Sequence, residues 1–326
     1  MERRATRNVG PRRVAGPTAG PLPGAAEAAF LREYASGALR SHARFQEAVR
    51  VAIGSLVERY SRDSPLNRVM NDRGRWLGGL IALYLHFAPA PGGKGVAAGL
   101  TAGRFQALCA ELELCSSGRA RALLALMRYA GYLAPAPAPA SGAPDRRLRR
   151  LVPTERLIEL HRQRWRHHFE AMALIMPEGR RALEALSRPG FMPAFVRHLG
   201  KAHLAGFRPV YHAPGLAGLV ENNAGMLVVA SLFLAATDGP AAPGGGAAVP
   251  ISISELSTRF GVARAQVRRL LAGAAEAGLV RRAGGSETVM VLPRLVSEVG
   301  GLFAALFALL AHCSEAAAEE VGRAPP

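Results

Sequence analysis

The chain carries TAGRFQALCAELELCSSGRARALLALMRYAGYL (Thr101 to Leu133) in its first half and ISISELSTRFGVARAQVRRLLAGAAEAGLV (Ile251 to Val280) in its second half. In both stretches apolar residues recur at helical spacing, a short turn interrupts them, and a second helical pattern follows. Both stretches end in glycine and an apolar pair, and an Arg-rich hairpin pattern comes next. The two stretches therefore predict the same local fold.

This order is typical of a winged helix-turn-helix, a three-helix core with a small β-hairpin wing that places one helix in the DNA major groove. The flanking sequence also recurs, because Ser64-Pro65 has its counterpart in Ala213-Pro214, and a long helix is expected to start near Pro153 in one half and Pro293 in the other. Such recurrence indicates an old tandem duplication. We predict a mainly α-helical fold in which two winged helix-turn-helix units, with their long flanking helices, form a pseudo-dimer.

Three segments are expected along the chain. Residues 1–24 hold five arginines among Pro, Gly and Ala. Because this composition supplies no core, they are predicted to form a disordered basic tail, either inert or adding non-specific affinity for DNA phosphates. Residues 25–176 contain the first helices and the first winged unit, and residues 177–326 contain the second helical and winged unit.

The charge of the chain points to a polyanionic partner. The formal net charge of the 326 residues is +17, which favours nucleic acid first and an anionic membrane surface second. Lys94 and Lys201 are the only lysines. This bias towards arginine, with abundant Ala, Gly and Pro, is typical of a GC-rich genome, so the position of each arginine matters more than the total.

Cysteine usage and apolar runs indicate a cytoplasmic protein without a membrane span. Cys109, Cys115 and Cys313 have no regular spacing, which predicts free thiols in a reducing compartment. Residues 1–24 lack the apolar segment of a secretory signal. The longest apolar runs, Met226 to Ala236 and Leu302 to Ala311, fall short of the roughly 18 residues that a span needs and are interpreted as core helices.

The second stretch gives the clearer candidate for base recognition. Ser252 or Ser254 is suited to cap a short helix, and Gly261 suits a tight turn because glycine adopts positive φ readily. The next helix is expected from about Arg264, with Val267, Leu270 and Leu271 facing the core. Its predicted DNA-facing residues are Arg264, Gln266, Arg268 and Arg269. Arginine matches the edge of guanine, and glutamine matches that of adenine.

The first stretch has a poorer helix face and a richer wing. Its recognition helix is expected to start near Ser116 or Ser117, with Ala120, Leu123 and Leu124 inward and Ser117, Arg119 and Arg121 outward. The predicted wing residues are Asp145, Arg146, Arg147 and Arg149 in the first unit, and Arg281 and Arg282 in the second. A wing tip rich in arginine suits the narrow, electronegative minor groove.

The segment DRRLRRLVPTERLIELHR (Asp145 to Arg162) resembles the wing and following helix of MarR-type winged-helix regulators. The matching residues are Asp145, Arg146, Arg147, Leu151, Thr154 and Glu155, whereas Val152 and Pro153 depart from the family pattern. The resemblance covers roughly residues 96–162 and implies that Arg147 enters the minor groove while Asp145 orients it. MarR-type proteins are usually homodimers, so the duplication suggests a single-chain equivalent.

Other residues suggest weaker alternatives. His161 and His168 share one helix face, which permits a metal or proton-sensing role, although interfacial histidines are the preferred interpretation. Cys109 and Cys115 flank the first turn and permit a thiol sensor, but buried structural cysteines are preferred because no basic activator is evident. A small-molecule effector pocket lined by Trp76, Tyr84 and Phe87 is weighed against an ordinary packed core.

Enzymatic activity is not indicated. The sequence contains no phosphate-binding loop, nucleophile elbow or cluster of metal ligands, and Gly92 to Gly95 is interpreted as a linker. No cofactor is expected. The function predicted is that of a bacterial cytoplasmic regulator that binds double-stranded DNA sequence-specifically, with no membrane partner and no requirement for self-association. The alternatives are a plasmid-type replication initiator and a winged-helix scaffold for protein interactions.

Overall fold

The computed structural model describes residues 37–62, 73–88, 99–137, 150–238, 246–282 and 288–323. For residues 61, 62, 73–76 and 282 it describes the backbone alone. Within these ranges the fold consists of twelve α-helices and two three-stranded antiparallel sheets. The predicted mainly α-helical class is confirmed.

The first half combines five helices with one sheet. Its elements are α1 (Phe45–Arg62), α2 (Arg73–Phe87), β1 (Leu100–Thr101), α3 (Ala102–Glu111), α4 (Ser117–Tyr129), β2 (Leu133–Pro135), β3 (Arg150–Pro153) and α5 (Glu155–Met172). Strand β3 lies in the middle of the sheet and pairs with both others, so that Leu151 faces Leu100 on one side and Pro135 on the other.

The second half has the same core order, which begins at its fourth α-helix. Its elements are α6 (Pro177–Ala185), α7 (Phe191–Leu204), two short 3-10 helices (Pro209–His212 and Pro214–Leu216), α8 (Ala217–Val220), α9 (Gly225–Asp238), β4 (Ala247–Pro250), α10 (Ile253–Phe260), α11 (Arg264–Glu276), β5 (Val280–Arg282), β6 (Thr288–Val291) and α12 (Pro293–Arg323). Strand β6 is central here, as β3 is in the first sheet. Each half thus contains the order helix, strand, helix, helix, strand, strand, helix.

The first long helix begins later than the sequence predicts. Pro153 was expected in its first turn, but it is the last residue of β3 and pairs with Leu133. Thr154 precedes the helix, and its hydroxyl donates to the carbonyl oxygen of Gly131 at 2.7 Å. The strand therefore extends through the proline. In α12 the proline does stand at the start, since the helix begins at Pro293 as predicted.

The two halves are joined by crosswise packing of their helices. Helix α2 of the first half packs against α7 of the second, and α9 of the second half packs against α1 of the first. Arg50 on α1 also donates to the Thr237 hydroxyl at 2.6 Å and forms an ion pair with Asp238, both at the end of α9. Neither half therefore buries its apolar surface without the other.

Helix α12 is longer and more apolar than the sequence suggested. An 18-residue window within it has a mean hydropathy of 1.8, so that by length and composition alone it meets the requirement for a membrane span. Of that window, 67% is buried inside the protein. Its buried side chains, among them Phe303, Phe307 and Leu310, pack against α7 and α6, as expected of a core helix.

Substituting Gly200 tests the crosswise packing. A Cβ atom at this position of α7 would lie 2.1 Å from the Tyr84 ring of α2, so Gly200→Ala is expected to lower the free energy of unfolding by about 1–3 kcal/mol through overpacking. Gly54→Ala on α1 is the control, because no atom lies within 4 Å of its Cβ position and alanine stabilises helix interiors by about 0.5–1 kcal/mol. Urea denaturation measures both, and equal effects of the two changes would contradict the close approach of α2 and α7.

Candidate nucleic-acid interface

Helices α10 and α11 are held together by a short turn with bonds at both ends. Ser252 is the N-cap of α10, and its hydroxyl accepts a hydrogen bond from the backbone N–H of Glu255 at 3.1 Å. Gly261 ends the helix with φ +63°, in the left-handed region that glycine adopts without steric penalty. Ser257 then donates its hydroxyl to the carbonyl oxygen of Val262 at 2.6 Å. These contacts fix the direction in which α11 leaves the turn.

Helix α11 has one buried and one exposed face. Val267, Leu270 and Leu271 are buried, as predicted. Arg264, Arg268 and Arg269 are exposed. The Arg264 guanidinium donates to the Ser254 hydroxyl at 2.8 Å. The exposed arginines therefore form a basic strip along the side of the helix that faces solvent.

Gln266 differs from its predicted neighbours on this face. Its side chain is only half-exposed. The amide nitrogen donates to the carbonyl oxygen of Asn223 at 3.2 Å, and the amide oxygen accepts from Arg269 at 3.1 Å. Gln266 is thus held against the loop before α9. For its side chain to contact a DNA base, the hydrogen bond to Asn223 would have to break.

Helix α4 presents the corresponding face in the first half. Ser116 precedes the helix, and its hydroxyl accepts from the backbone N–H of Arg119 at 3.3 Å. Ser117, Arg119 and Arg121 are exposed, as predicted, and Ala120, Leu123 and Leu124 are buried. The Ser117 hydroxyl donates to the Gln106 side chain at 2.8 Å. Tyr129 at the end of α4 is 92% exposed.

The two exposed faces match position by position. Both helices have 13 residues. Counted from the first residue of each helix, Arg121 and Arg268 both occupy the fifth position, whereas Arg119 occupies the position of Gln266. A basic side chain therefore recurs at one equivalent site, while the surrounding residues differ between the two halves.

The predicted wing residues are only partly placed. Arg281 is exposed on β5, and the backbone of Arg282 belongs to the same strand. Asp145, Arg146, Arg147 and Arg149 lie outside the described residues, and so does the predicted basic tail. The roles assigned to these side chains stay predictions.

His161 and His168 of α5 are buried and uncharged. His161 and His168 have Nδ1 atoms without a hydrogen-bond partner. Burial, reinforced by the nearby charge of Arg164, lowers the pKa of each to about 3. Among the described residues no cluster of three or more His, Cys, Asp or Glu side chains is placed to hold a metal ion. Both rings instead pack against aromatic neighbours, His161 against Trp165 and His168 against Phe303.

Cys109, which precedes the first turn, is poorly suited to thiol chemistry at neutral pH. Cys109 is buried and Cys115 is half-buried. Burial, with Cys115 beside it, raises the pKa of the Cys109 thiol to about 12. Because the thiolate is the reactive form, this environment favours the structural interpretation of Cys109.

Two of the residues considered as the lining of an effector pocket have other surroundings in the structure. Tyr84 lines a cavity of only about 10 Å³, and Phe87 packs edge-on against His86. The Trp76 side chain is not among those that the structure describes. A cavity of about 180 Å³ opens elsewhere, beside Trp165 and between helices of both halves. Sequence patterns do not predict this cavity, because its lining comes from segments far apart in the chain.

Comparison with protein-family models, with curated proteins and with solved structures yields no match. The resemblance to MarR-type regulators therefore rests on the sequence of roughly residues 96–162 alone.

Glu113 offers a test of the first turn. It occupies the place that Gly261 holds in the second half, and its φ is +52°, a conformation that costs roughly 1–2 kcal/mol for a residue with a Cβ atom. Glu113→Gly is expected to raise the free energy of unfolding by about 1 kcal/mol in urea titrations. Ala107→Gly, at an exposed position inside α3, is the control and is expected to lower it by about 1 kcal/mol. A loss of stability in both variants would argue against a strained turn.

The buried histidines predict a dependence of stability on pH. His168 stays neutral in the folded protein down to about pH 3, whereas in the unfolded chain it takes up a proton below about pH 6.5. The unfolded state therefore binds more protons between these values, so stability falls as the pH drops from 7 to 5, by about 1–2 kcal/mol for this residue. His168→Leu is expected to remove that part of the loss, as measured by urea unfolding at both pH values. The exposed His42→Leu serves as the control, and an unchanged pH slope in His168→Leu would contradict the burial of a neutral ring.

Proposed function

We propose that the chain is a sequence-specific, double-stranded DNA-binding transcriptional regulator. In this proposal the two units, α2 to β3 and α9 to β6, are winged helix-turn-helices that form a single-chain pseudo-dimer. The observation that carries it is the recurrence of an exposed arginine at the fifth position of α4 and of α11, in two units with the same element order and the same central strand.

The order of elements supports this assignment. In each unit a short helix, α3 or α10, leads through a tight turn into a helix with one buried and one basic face. Two antiparallel strands follow, and the hairpin they form is where a wing belongs. A helix of about 13 residues whose polar side is exposed to solvent has the dimensions to lie in the major groove.

Recognition follows from the chemistry of the exposed side chains. Arg121, Arg264 and Arg268 are suited to bond the O6 and N7 acceptors of guanine. Gln266 would read adenine after exchanging its bond to Asn223 for one to the base. Arg281 and Arg282, with the first-unit wing residues Arg146, Arg147 and Arg149, are assigned to the minor groove and the DNA backbone. As the MarR-type resemblance implies for the first wing, Arg147 would enter the minor groove and Asp145 would orient it.

Two unequal faces predict an asymmetric operator. At the first helix position α4 has Ser117 and α11 has Arg264. At the third position α4 has Arg119 and α11 has Gln266. The side chains of α4 would then contact one DNA half-site, and the different side chains of α11 would contact the other. A single chain would occupy both half-sites. The protein is proposed to act in the cytoplasm as a binding protein without a catalytic role.

Selection of DNA fragments from the source genome tests the proposal directly. Purified protein is incubated with the fragments at low and at physiological salt, and the retained fragments are sequenced. An asymmetric motif retained at physiological salt is the expected result. Enrichment restricted to arrays of origin-like repeats would favour a replication initiator, and absence of binding even at low salt would favour a protein-interaction scaffold. Binding that is uniform in sequence and vanishes with salt would contradict sequence-specific regulation.

Substituting the equivalent arginines distinguishes the contributions of α4 and α11 to DNA binding. Arg121→Ala and Arg268→Ala are each expected to weaken binding to the selected operator by about 1–3 kcal/mol, roughly 5- to 150-fold, and to relax base preference in opposite half-sites. Competition binding with half-site variants measures this. Arg180→Ala, an exposed arginine on α6 outside both units, is the charge-matched control and should change neither quantity. Uniform weakening across all sequences would reassign the side chain to a phosphate contact.

A further inference from the structure

A cavity of about 180 Å³ lies at the junction of the two halves, beside Trp165. Helices α1, α2 and α5 of the first half contribute to its wall, together with α7, α8, α9 and α12 of the second. Protein interiors are closely packed and contain few voids larger than a water molecule. Because this space is well above that size, it is a candidate ligand site.

The wall of the cavity is mostly aliphatic. Leucine is the commonest residue of its described lining, and valine and methionine side chains add to the apolar surface. The long helix α12 alone contributes Leu302, Leu306 and Leu310. Such a wall favours a hydrocarbon chain as the occupant, because apolar surface is stabilised when it leaves water.

Most polar side chains of the wall have partners within the protein. Arg208 donates to the carbonyl oxygen of His203 at 2.5 Å. The His203 Nδ1 atom lies 3.0 Å from the carbonyl oxygen of Leu199, and Arg164 is hydrogen-bonded to Tyr60. The described lining includes no acidic side chain, which disfavours a cationic ligand. None of these groups requires a charged ligand, so we expect a neutral one.

The ring of His168 has hydrogen-bonding capacity that the described residues leave unused. His168 lines the cavity and is 7% exposed, and its Nδ1 atom has no hydrogen-bond partner. Burial lowers the pKa of His168 to about 3, so the ring is neutral near pH 7. A buried polar atom without a partner is unfavourable. A ligand that forms a hydrogen bond to this ring would remove that penalty.

The neutrality of the ring selects the polar group of the ligand. In a neutral imidazole one nitrogen donates and the other accepts, whereas a hydroxyl can do both and therefore suits either tautomer. We propose that this cavity binds a neutral aliphatic alcohol, with its hydroxyl at the His168 ring and its hydrocarbon chain among the leucines of α12. A cavity of about 150 Å³ holds benzene, so one of about 180 Å³ suits an alcohol of about six to eight carbons.

Calorimetric titration of the full chain with 1-hexanol tests the proposal, with hexanoate as the charged probe of the same chain length. 1-Hexanol is expected to bind at one site per chain, and hexanoate about tenfold or more weakly, because a carboxylate loses more hydration on burial. Trp76→Phe leaves Trp165, which lines the cavity, as the only tryptophan, so its fluorescence reports entry into this site. No saturable binding of 1-hexanol, no Trp165 response, or tighter binding of hexanoate would each overturn the proposal.

His168→Leu removes the hydrogen-bonding ring and keeps the position apolar. It is expected to weaken 1-hexanol binding by about fivefold, the loss of one hydrogen bond, and not to weaken the binding of 1-chlorohexane, which has no hydroxyl. His42→Leu, at an exposed position, is the matched control and should change neither affinity. Equal binding of 1-hexanol to His168→Leu and to the wild-type protein would reject His168 as the partner of the hydroxyl. Its Nδ1 atom would then be assigned to the adjoining cavity of about 20 Å³, which has room for one water molecule.

Leu306→Phe tests the location of the site by filling the cavity from α12. It is expected to abolish 1-hexanol binding without lowering the melting temperature, because a side chain that fills a cavity stabilises the folded state. Leu183→Phe, at a half-buried position of α6 outside the cavity lining, is the control and should leave binding unchanged. Wild-type affinity in Leu306→Phe would place the ligand elsewhere and contradict the proposal.

The ligand site goes beyond the proposed DNA-binding function and does not rest on it. Calorimetry and Trp165 fluorescence are both measured without DNA. Binding of 1-hexanol by a chain that fails to bind DNA would therefore refute only the regulator, and DNA binding by a chain that fails to bind 1-hexanol would refute only the ligand site.

Discussion

The whole structure depends on helices α2 and α9, whose apolar surfaces extend around most of each helix. In α9, Leu227, Val228, Val229 and Leu232 are all buried although they point in different directions around the helix axis. A helix that is apolar on all sides has to be covered on all sides. Its own unit covers one side, through α11 and β4, and α1 of the other half covers the opposite side. Helix α2 is covered in the same way by α3 and α7.

This constraint fixes the relation between the two basic helix faces. Because each apolar helix is shared between halves, α4 and α11 are attached to one common core and not to two independently moving domains. The two chains of a homodimer form such a common core only when they associate. Here both halves belong to one chain, so the core forms at every protein concentration. The cavity beside Trp165 lies within that frame. A ligand that binds one arrangement of the helices better than another would therefore shift both faces together.

Local signals in the sequence predicted much of the helix-turn-helix segment of the second half. The N-cap at Ser252, the turn at Gly261 and the start of α11 at Arg264 were confirmed because each depends on residues within a few positions. Tertiary contacts decided the features that the sequence missed. Pro153 belongs to a strand because Leu133 pairs with it, and Gln266 is held by a carbonyl 43 residues away. The cavity beside Trp165 is lined by residues from both halves, so no local pattern in the sequence predicts it.

The two units differ at the turn and at the first position of the following helix. The second turn has glycine at the left-handed position, whereas the first has Glu113. Helix α4 lacks the arginine at position one that α11 has in Arg264. Strain in a turn lowers the free energy needed to displace the helix that follows it. The first unit therefore combines fewer predicted DNA-facing side chains on its helix with a strained turn. In the proposed regulator, α11 would contribute more to the register on DNA, and α4 would be the recognition helix that is displaced more easily.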